Sequence, residues 1–160
     1  PKVYTMSEIF ADQTAVTNID VVRGQTALTL SHLSSALDGT AQIFTLIADQ
    51  GINIDMISQS APVAHTIDLS FTLPDEDVER ACAALAPLGD LRMSRMSGLS
   101  KLSIEGFGME HNPGVAARVF SALSDAQVDV KLVTTSETKI SVCIPEEQIE
   151  LAREAVAMAF

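Results

Sequence analysis

The sequence has 160 residues, with 47% hydrophobic and 19% charged residues, so it holds one medium domain or two small ones of a folded globular protein. Its formal net charge of −11 excludes nucleic-acid binding, because that role needs clustered Lys and Arg that neutralise phosphates. No apolar run reaches the roughly 20 residues that a membrane-spanning helix needs. The first residues also contain no signal-peptide core, so we expect a cytoplasmic protein without a membrane partner.

The chain begins with two segments of different character. Residues 1–15 are interpreted as an N-terminal remnant or linker. Residues 16–22 form a β-branched, strand-like run that Arg23 and Gly24 separate from the next strand, near Leu28.

An internal repeat organises the rest of the chain. Residues 43–57 match residues 119–133 without a gap, and both segments are typical of a helix, a short turn and a strand. The match extends to the flanking strand-like residues 28–30 and 102–104, and to residues 69–74 and 140–145. In each copy a Pro and an acidic run then open a second helix, where a fixed φ and negative charge suit the helix dipole.

The order of elements predicts an α+β protein made of two ferredoxin-like βαββαβ domains, with helices on one face of antiparallel sheets. Residues 91–95 supply the fourth strand of the first copy. The second copy has no residues left for its own fourth strand, so we predict that residues 16–22 complete it and that the first domain is inserted into the second. The expected limits are 25–97 for one domain, and 16–24 with 98–160 for the other.

A loop between a strand and a helix, residues 106–115, is a candidate ligand site. Asn112 is a plausible helix cap and Pro113 fits the first helical position, so free backbone N–H groups there would favour a carboxylate. Residues 134–137 follow the next strand and bring hydroxyl groups near the same loop. A capped turn is the more common explanation of the loop, and a polar hairpin explains residues 134–137 as well as a ligand does.

Residues that could support other chemistry are scattered. Cys82 and Cys143 lie in an Ala-rich helical stretch and a β-branched run, the usual setting of buried free thiols. His32, His65 and His111 have no Cys, Asp or Glu at metal-ligand spacing. Phosphate-loop and nucleophile motifs do not occur. We therefore predict no catalytic residue, no metal and no cofactor.

Residues 106–109, 111–117 and 134–142 together resemble the regulatory half of aspartokinase. Residues 52–59 and 67–72 are similar to its first ACT domain, so the resemblance covers residues from about 16 to 160. It implies tandem ACT domains that bind lysine, threonine or both between the two chains of a homodimer. The catalytic partner would be an aspartokinase domain or alpha subunit that phosphorylates aspartate with ATP.

The resemblance also assigns effector-binding residues. The first effector site would consist of Met109, Glu110, His111, Asn112, Pro113, Gly114, Val115, Thr135 and Ser136, facing Asn53 and Ile54 of a second chain. The second effector site would use the segment from Ser35 to Ala41, with Asp38, Gly39 and Thr40, together with Gln59, facing Asp129 and Val130 of a second chain.

Two departures from the family pattern leave alternatives open. Residues 35–38 replace the family's Asp-Lys-Pro-Gly loop, so a stand-alone ACT sensor, or a structural dimerisation module without an effector, is the alternative function. Asp129 stands where the family often has Asn, and it would either repel an effector carboxylate or attract a lysine ammonium group. The second possibility favours lysine over threonine.

Overall fold

The structure, a computed structural model, describes residues 16–35, 39–89, 91–106 and 112–160. These residues form two compact units, Gly24–Leu99 and residues 16–23 with Ser100–Phe160. The strands are β1 (Asn18–Ser34), β2 (Ile57–Gln59), β3 (Thr66–Pro74), β4 (Arg92–Glu105), β5 (Leu132–Thr135) and β6 (Lys139–Pro145). The α-helices are α1 (Gly39–Asp49), α2 (Val78–Leu85), α3 (Val115–Asp125) and α4 (Ile149–Met158).

The unit Gly24–Leu99 has the strand order β2-β3-β1-β4. β3 is antiparallel to β1, with Phe71 opposite Leu28, and it is also antiparallel to β2. Alternate strand residues face the two helices because successive side chains in a strand point to opposite sides. The buried core contains Leu28, Leu30, Ile43, Ile47, Ile67, Leu69, Phe71, Leu73, Ala81 and Leu85.

The unit of residues 16–23 and 100–160 repeats this arrangement in the order β5-β6-β4-β1. The backbone N–H and the hydroxyl group of Thr17 both donate to the Glu105 carbonyl, at 2.8 and 3.2 Å. Residues before β1 therefore run beside the end of β4. The buried core contains Leu102, Ile104, Val119, Leu123, Ile140, Val142, Ile144, Ala152 and Val156.

The predicted fold class is confirmed: the chain is α+β, with antiparallel strands and two βαββαβ units. The predicted limits of the two domains remain a proposal. The predicted linker at 1–15 lies outside the described residues. No helix in the described part of the chain is long and apolar enough to cross a membrane.

Two expected strand breaks are absent. β1 continues through Gly24 and β4 continues through Gly98, at φ values of 67° and 70°. Glycine adopts this left-handed conformation without a Cβ clash, so each strand passes the position without ending. The expectation of separate strands at 16–22 and 28–30, and at 91–95 and 102–104, was wrong for this reason.

The second helix of each copy also starts later than expected. Short 3₁₀ turns, Asp75–Asp77 and Glu146–Gln148, follow Pro74 and Pro145 before α2 and α4 begin. Pro74 and Pro145 end strands β3 and β6, and the acidic residues occupy the intervening turns.

An equivalent hydroxyl pair joins neighbouring strands in each unit. The Thr29 and Ser70 hydroxyl oxygens lie 2.8 Å apart, and those of Ser103 and Ser141 lie 3.0 Å apart. Ser103 and Ser141 are buried. The pair in the second unit satisfies two buried hydroxyl groups, whereas Thr29 and Ser70 are half-buried.

We expect Ser141→Ala to lower the free energy of unfolding by about 1–3 kcal/mol, because it leaves the buried Ser103 hydroxyl without its partner. Urea denaturation measures the change, with exposed Ser94→Ala as the control. The double variant Ser103→Ala, Ser141→Ala should recover part of the loss, since both polar groups are then removed. A double variant that loses the sum of the two single effects would contradict this role.

Candidate functional site

The described part of the first effector site lies at the N-terminus of α3. Gly114 precedes the first helical residue, Val115, at φ 101°, and no side chain caps the helix. The expected cap at Asn112 was wrong: its backbone carbonyl instead accepts the Val115 N–H at 3.4 Å. Gly114 is the residue just before the helix, so Pro113 lies two residues before Val115 and not at the first helical position. Met109, Glu110 and His111 lie outside the described residues.

The β5–β6 hairpin stands beside the start of this loop. The Gly106 N–H, at the end of β4, donates to the Thr138 carbonyl at 2.9 Å. Thr135 ends β5, and the Ser136 N–H donates to the Lys139 carbonyl at 2.8 Å across the turn. The hydroxyl group of Ser136 also accepts the Thr138 N–H at 3.4 Å. The structure thus brings the hairpin next to the residue from which the loop departs.

The described residues of the second effector site meet through one hydrogen bond. The Thr40 hydroxyl, in the first turn of α1, donates to the Gln59 Oε1 at 3.2 Å, where β2 ends. Gly39 opens the helix and Ala41 is exposed. Asp38 lies outside the described residues. The first turn of the helix and the end of the strand therefore form one small polar surface.

Each predicted effector site also uses residues of a second chain, and these residues lie after the first helix of each copy. Asn53 is exposed, whereas Ile54 is half-buried and packs against the core of its own unit. Asp129 is exposed, and Val130 packs in the same way in the other unit. In both segments a polar side chain thus lies at the surface beside an apolar one that fixes the backbone.

Two residues near Asp129 were missed by the sequence analysis. The ammonium group of Lys131 forms an ion pair with the Asp129 carboxylate. The side chain of Gln148 accepts the Asp129 N–H at 2.8 Å and donates to the Gln127 carbonyl at 3.4 Å. Lys131 was detectable, since residues two apart in an extended segment share a side. Gln148 was not, because its contact depends on how the second helix packs.

Other features of the structure lie away from the predicted effector residues. Hydrogen bonds to Glu79 and Cys82 raise the pKa of Arg95 above its ordinary value. Two open clefts of about 320 and 330 Å³ are lined by Ser31, His32, Leu33, Leu91 and Arg92, and by Val16, Thr17, Asn18, Ile19, Ala157 and Phe160. Neither cleft contains a predicted effector residue. Within the ranges that the structure describes, no group of three or more His, Cys, Asp or Glu residues could hold a metal ion.

Comparison with known proteins gives the class first. A family model described as ACT domain matches residues 32–87 and 102–160, one segment for each copy of the repeat. The matched segments make up most of the chain, so this is a protein with two ACT domains in tandem.

Individual relatives then give the family. The aspartokinase of Geobacillus stearothermophilus is 41% identical over 135 residues, covering 84% of this chain and 33% of that protein. The crystal structure of the regulatory subunit of aspartate kinase from Thermus thermophilus is 30% identical, with a TM-score of 0.85, covering 92% of this chain and 99% of that one. A structure of aspartokinase alpha and beta subunits contains a chain that is 31% identical, with a TM-score of 0.82 and coverages of 91% and 99%. The chain therefore belongs to the family of aspartate kinase regulatory regions.

The relationship concerns the regulatory part and not the catalytic kinase domain. The chain spans about one third of the length of the curated aspartokinases that it matches, 33% and 34% in two cases. Membership of this family supports an allosteric regulatory role.

Proposed function

We propose that the chain is the allosteric regulatory module of an aspartokinase. It binds lysine, threonine or both at interfaces between ACT domains of two chains, and this binding gives feedback inhibition of aspartate phosphorylation. Its partners are a second copy of itself and an aspartokinase catalytic domain or alpha subunit. Its location would be cytoplasmic.

One observation carries the proposal. Each copy of the repeat matches the ACT-domain family model, and 92% of the chain aligns with 99% of a solved regulatory subunit of aspartate kinase. The similarity to a chain in the structure of aspartokinase alpha and beta subunits supports a catalytic partner. The match covers only about one third of each curated relative. In this proposal, the phosphorylation of aspartate is carried out by a part of the assembly that corresponds to the remaining two thirds.

The first effector site has the chemistry that an amino acid needs. A carboxylate suits the uncapped N-terminus of α3 after Gly114, because the backbone N–H groups of a first helical turn favour negative charge. The hairpin with Thr135 and Ser136 stands near the same loop and offers hydroxyl groups and carbonyls to an ammonium group. Asn53 of a second chain would close the site.

Inhibition requires that the effector bind one arrangement of the ACT domains more tightly than another, because a ligand shifts an equilibrium only by its differential affinity. A site shared between chains meets this requirement. Movement of one chain relative to the other separates the two halves of the site, and the affinity for the effector then falls.

One observation favours the structural alternative for the second effector site. Thr40 and Gln59 already satisfy each other, and Asp129 is already paired with Lys131. A site whose polar groups are paired internally gains less from a ligand, because those contacts must be exchanged. The alternative is therefore a dimerisation module in which only the first effector site, or neither site, binds an amino acid.

Titration calorimetry of the purified dimer with lysine, threonine and both together tests the proposal. We expect heat with at least one of them, and a thermal shift that corresponds to about 2.7 kcal/mol of stabilisation at 100 times the dissociation constant. Alanine serves as a control ligand that should produce neither effect. A folded dimer that gives no heat with lysine or threonine would leave the structural alternative.

A further inference from the structure

The two copies hold an equivalent turn with different side chains. In the second copy the turn passes through Gln127 at φ 58°, where the first copy has Gly51 at φ 70°. The amide group of Gln148 bonds to both sides of this turn, accepting from Asp129 at 2.8 Å and donating to Gln127 at 3.4 Å. Gln148 therefore fixes the backbone that carries Asp129.

In the first copy, a charged side chain bonds to the equivalent turn. Arg80 donates to the Gln50 carbonyl at 3.2 Å and pairs with Asp77 at 2.7 Å. Its turn is thus held from one side by a guanidinium group, whereas a neutral amide holds the second turn from two sides. Gln148 bonds to the backbone N–H of Asp129, whereas Lys131 pairs with the Asp129 carboxylate.

The charges that follow the two turns also differ. The first copy has Asn53 and Asp55, and the second has Asp129 and Lys131 at the matching positions. The side chains of Asp129 and Lys131 are 57% and 31% exposed, and they form an ion pair. Gln148 bonds to the backbone at Asp129, and the exposed Asp129 carboxylate has its negative charge balanced by the Lys131 ammonium group.

We propose that Lys131 determines effector specificity at the second effector site. This proposal rests on the proposed function, in which Asp129 and Val130 face the effector of a second chain. With Lys131 in place, the segment carries no net charge and accepts an amino acid with a neutral side chain, such as threonine. Without Lys131, the Asp129 carboxylate is free to pair with the side-chain ammonium group of lysine.

One single and one double variant of the full chain test the proposal. We expect Lys131→Gln to tighten lysine binding about three- to fivefold, the range of a partly exposed ion pair, and to leave threonine binding within about twofold. The double variant Asp129→Asn, Lys131→Gln should lose the gain for lysine, since the carboxylate is gone. Calorimetry with both amino acids measures each affinity, and the gain should shrink at high salt.

Arg153→Gln is the matched control, because it also removes one cation from an exposed ion pair in the same unit, the 3.1 Å pair with Glu150. It should leave the ratio of lysine to threonine affinities unchanged. If the wild-type dimer binds neither amino acid, the proposed function itself fails. If the wild type binds but Lys131→Gln leaves the ratio unchanged, or the double variant keeps the gain, the role of Lys131 alone is overturned.

Discussion

Replacing Phe71 by Ala is expected to lower the free energy of unfolding by about 3–5 kcal/mol, enough to remove much of the stability of a small domain. Phe71 lies in the middle of β3 and is fully buried. Its ring packs edge to face against Phe44 of α1, with centroids 6.0 Å apart and planes at 70°. The side chain therefore joins the sheet to the helix that carries Thr40.

The cost has two parts, the lost burial of the ring and the cavity that remains when its neighbours relax only partly. Phe71→Leu keeps most of the volume, so we expect it to cost about 1–1.5 kcal/mol. Denaturant unfolding followed by circular dichroism measures both variants against exposed Ser94→Ala. A loss below about 1 kcal/mol for Phe71→Ala would mean that the ring does not support this core.

Much of the fold could be predicted because both copies of the repeat show the same spacing of apolar residues, helical in the helices and alternating in the strands. Helices α1 and α3, each of 11 residues, contain the first part of the aligned segments, which begin at Ile43 and Val119. Their buried residues recur at helical spacing, and the strand residues alternate. The same order of helix and strand patterns occurs twice, so each copy supports the assignment of elements in the other.

The continuity of β1 and β4 could not be predicted. Gly24 and Gly98 look like ordinary strand breaks in the sequence, since glycine is a common turn residue. Whether a glycine at positive φ ends a strand depends on whether the partner strand continues alongside it. That information is tertiary, and it is not contained in the residues around the glycine.

The candidate site was predictable in its residue types and not in its contacts. The sequence shows a loop before a helix, a polar hairpin and an unusual Asp129. It does not show that Thr40 bonds to Gln59, or that Gln148 bonds to Asp129, because these two contacts join different elements. The ion pair of Asp129 with Lys131 could have been inferred from their spacing. The charge of Asp129 predicts a preference for lysine, which stays a prediction, and the structure adds the ion pair of this carboxylate with Lys131. The assignment of effector residues stays a prediction.

Replacing Gly114 by Ala is the second change with a large expected effect, and it acts on effector binding. Gly114 has φ 101° and ψ −9°, a conformation that an L side chain rarely adopts. Among the residues that the structure describes, chain neighbours aside, no atom lies within 4 Å of an added Cβ, so the expected penalty is backbone strain. To relieve the strain, the residues before α3 must rotate and turn the first helical N–H groups away from their present direction.

We expect Gly114→Ala to lower the free energy of unfolding by about 1–2 kcal/mol and to weaken effector binding at least about tenfold, because the N–H groups at the start of α3 contact the effector carboxylate in the proposed function. Gly89→Ala is the control: Gly89 also has a positive φ, 86°, and no atom of the described residues, chain neighbours aside, lies within 4 Å of an added Cβ. Its ψ of −147° lies close to a region that glycine populates almost alone, so Gly89→Ala should lose at least as much stability and keep effector affinity. Gly114→Asn should retain part of the affinity, since Asn tolerates positive φ better than Ala. Equal affinity in Gly114→Ala and the wild type, measured by calorimetry on folded dimers, would show that the α3 N-terminus does not hold the effector.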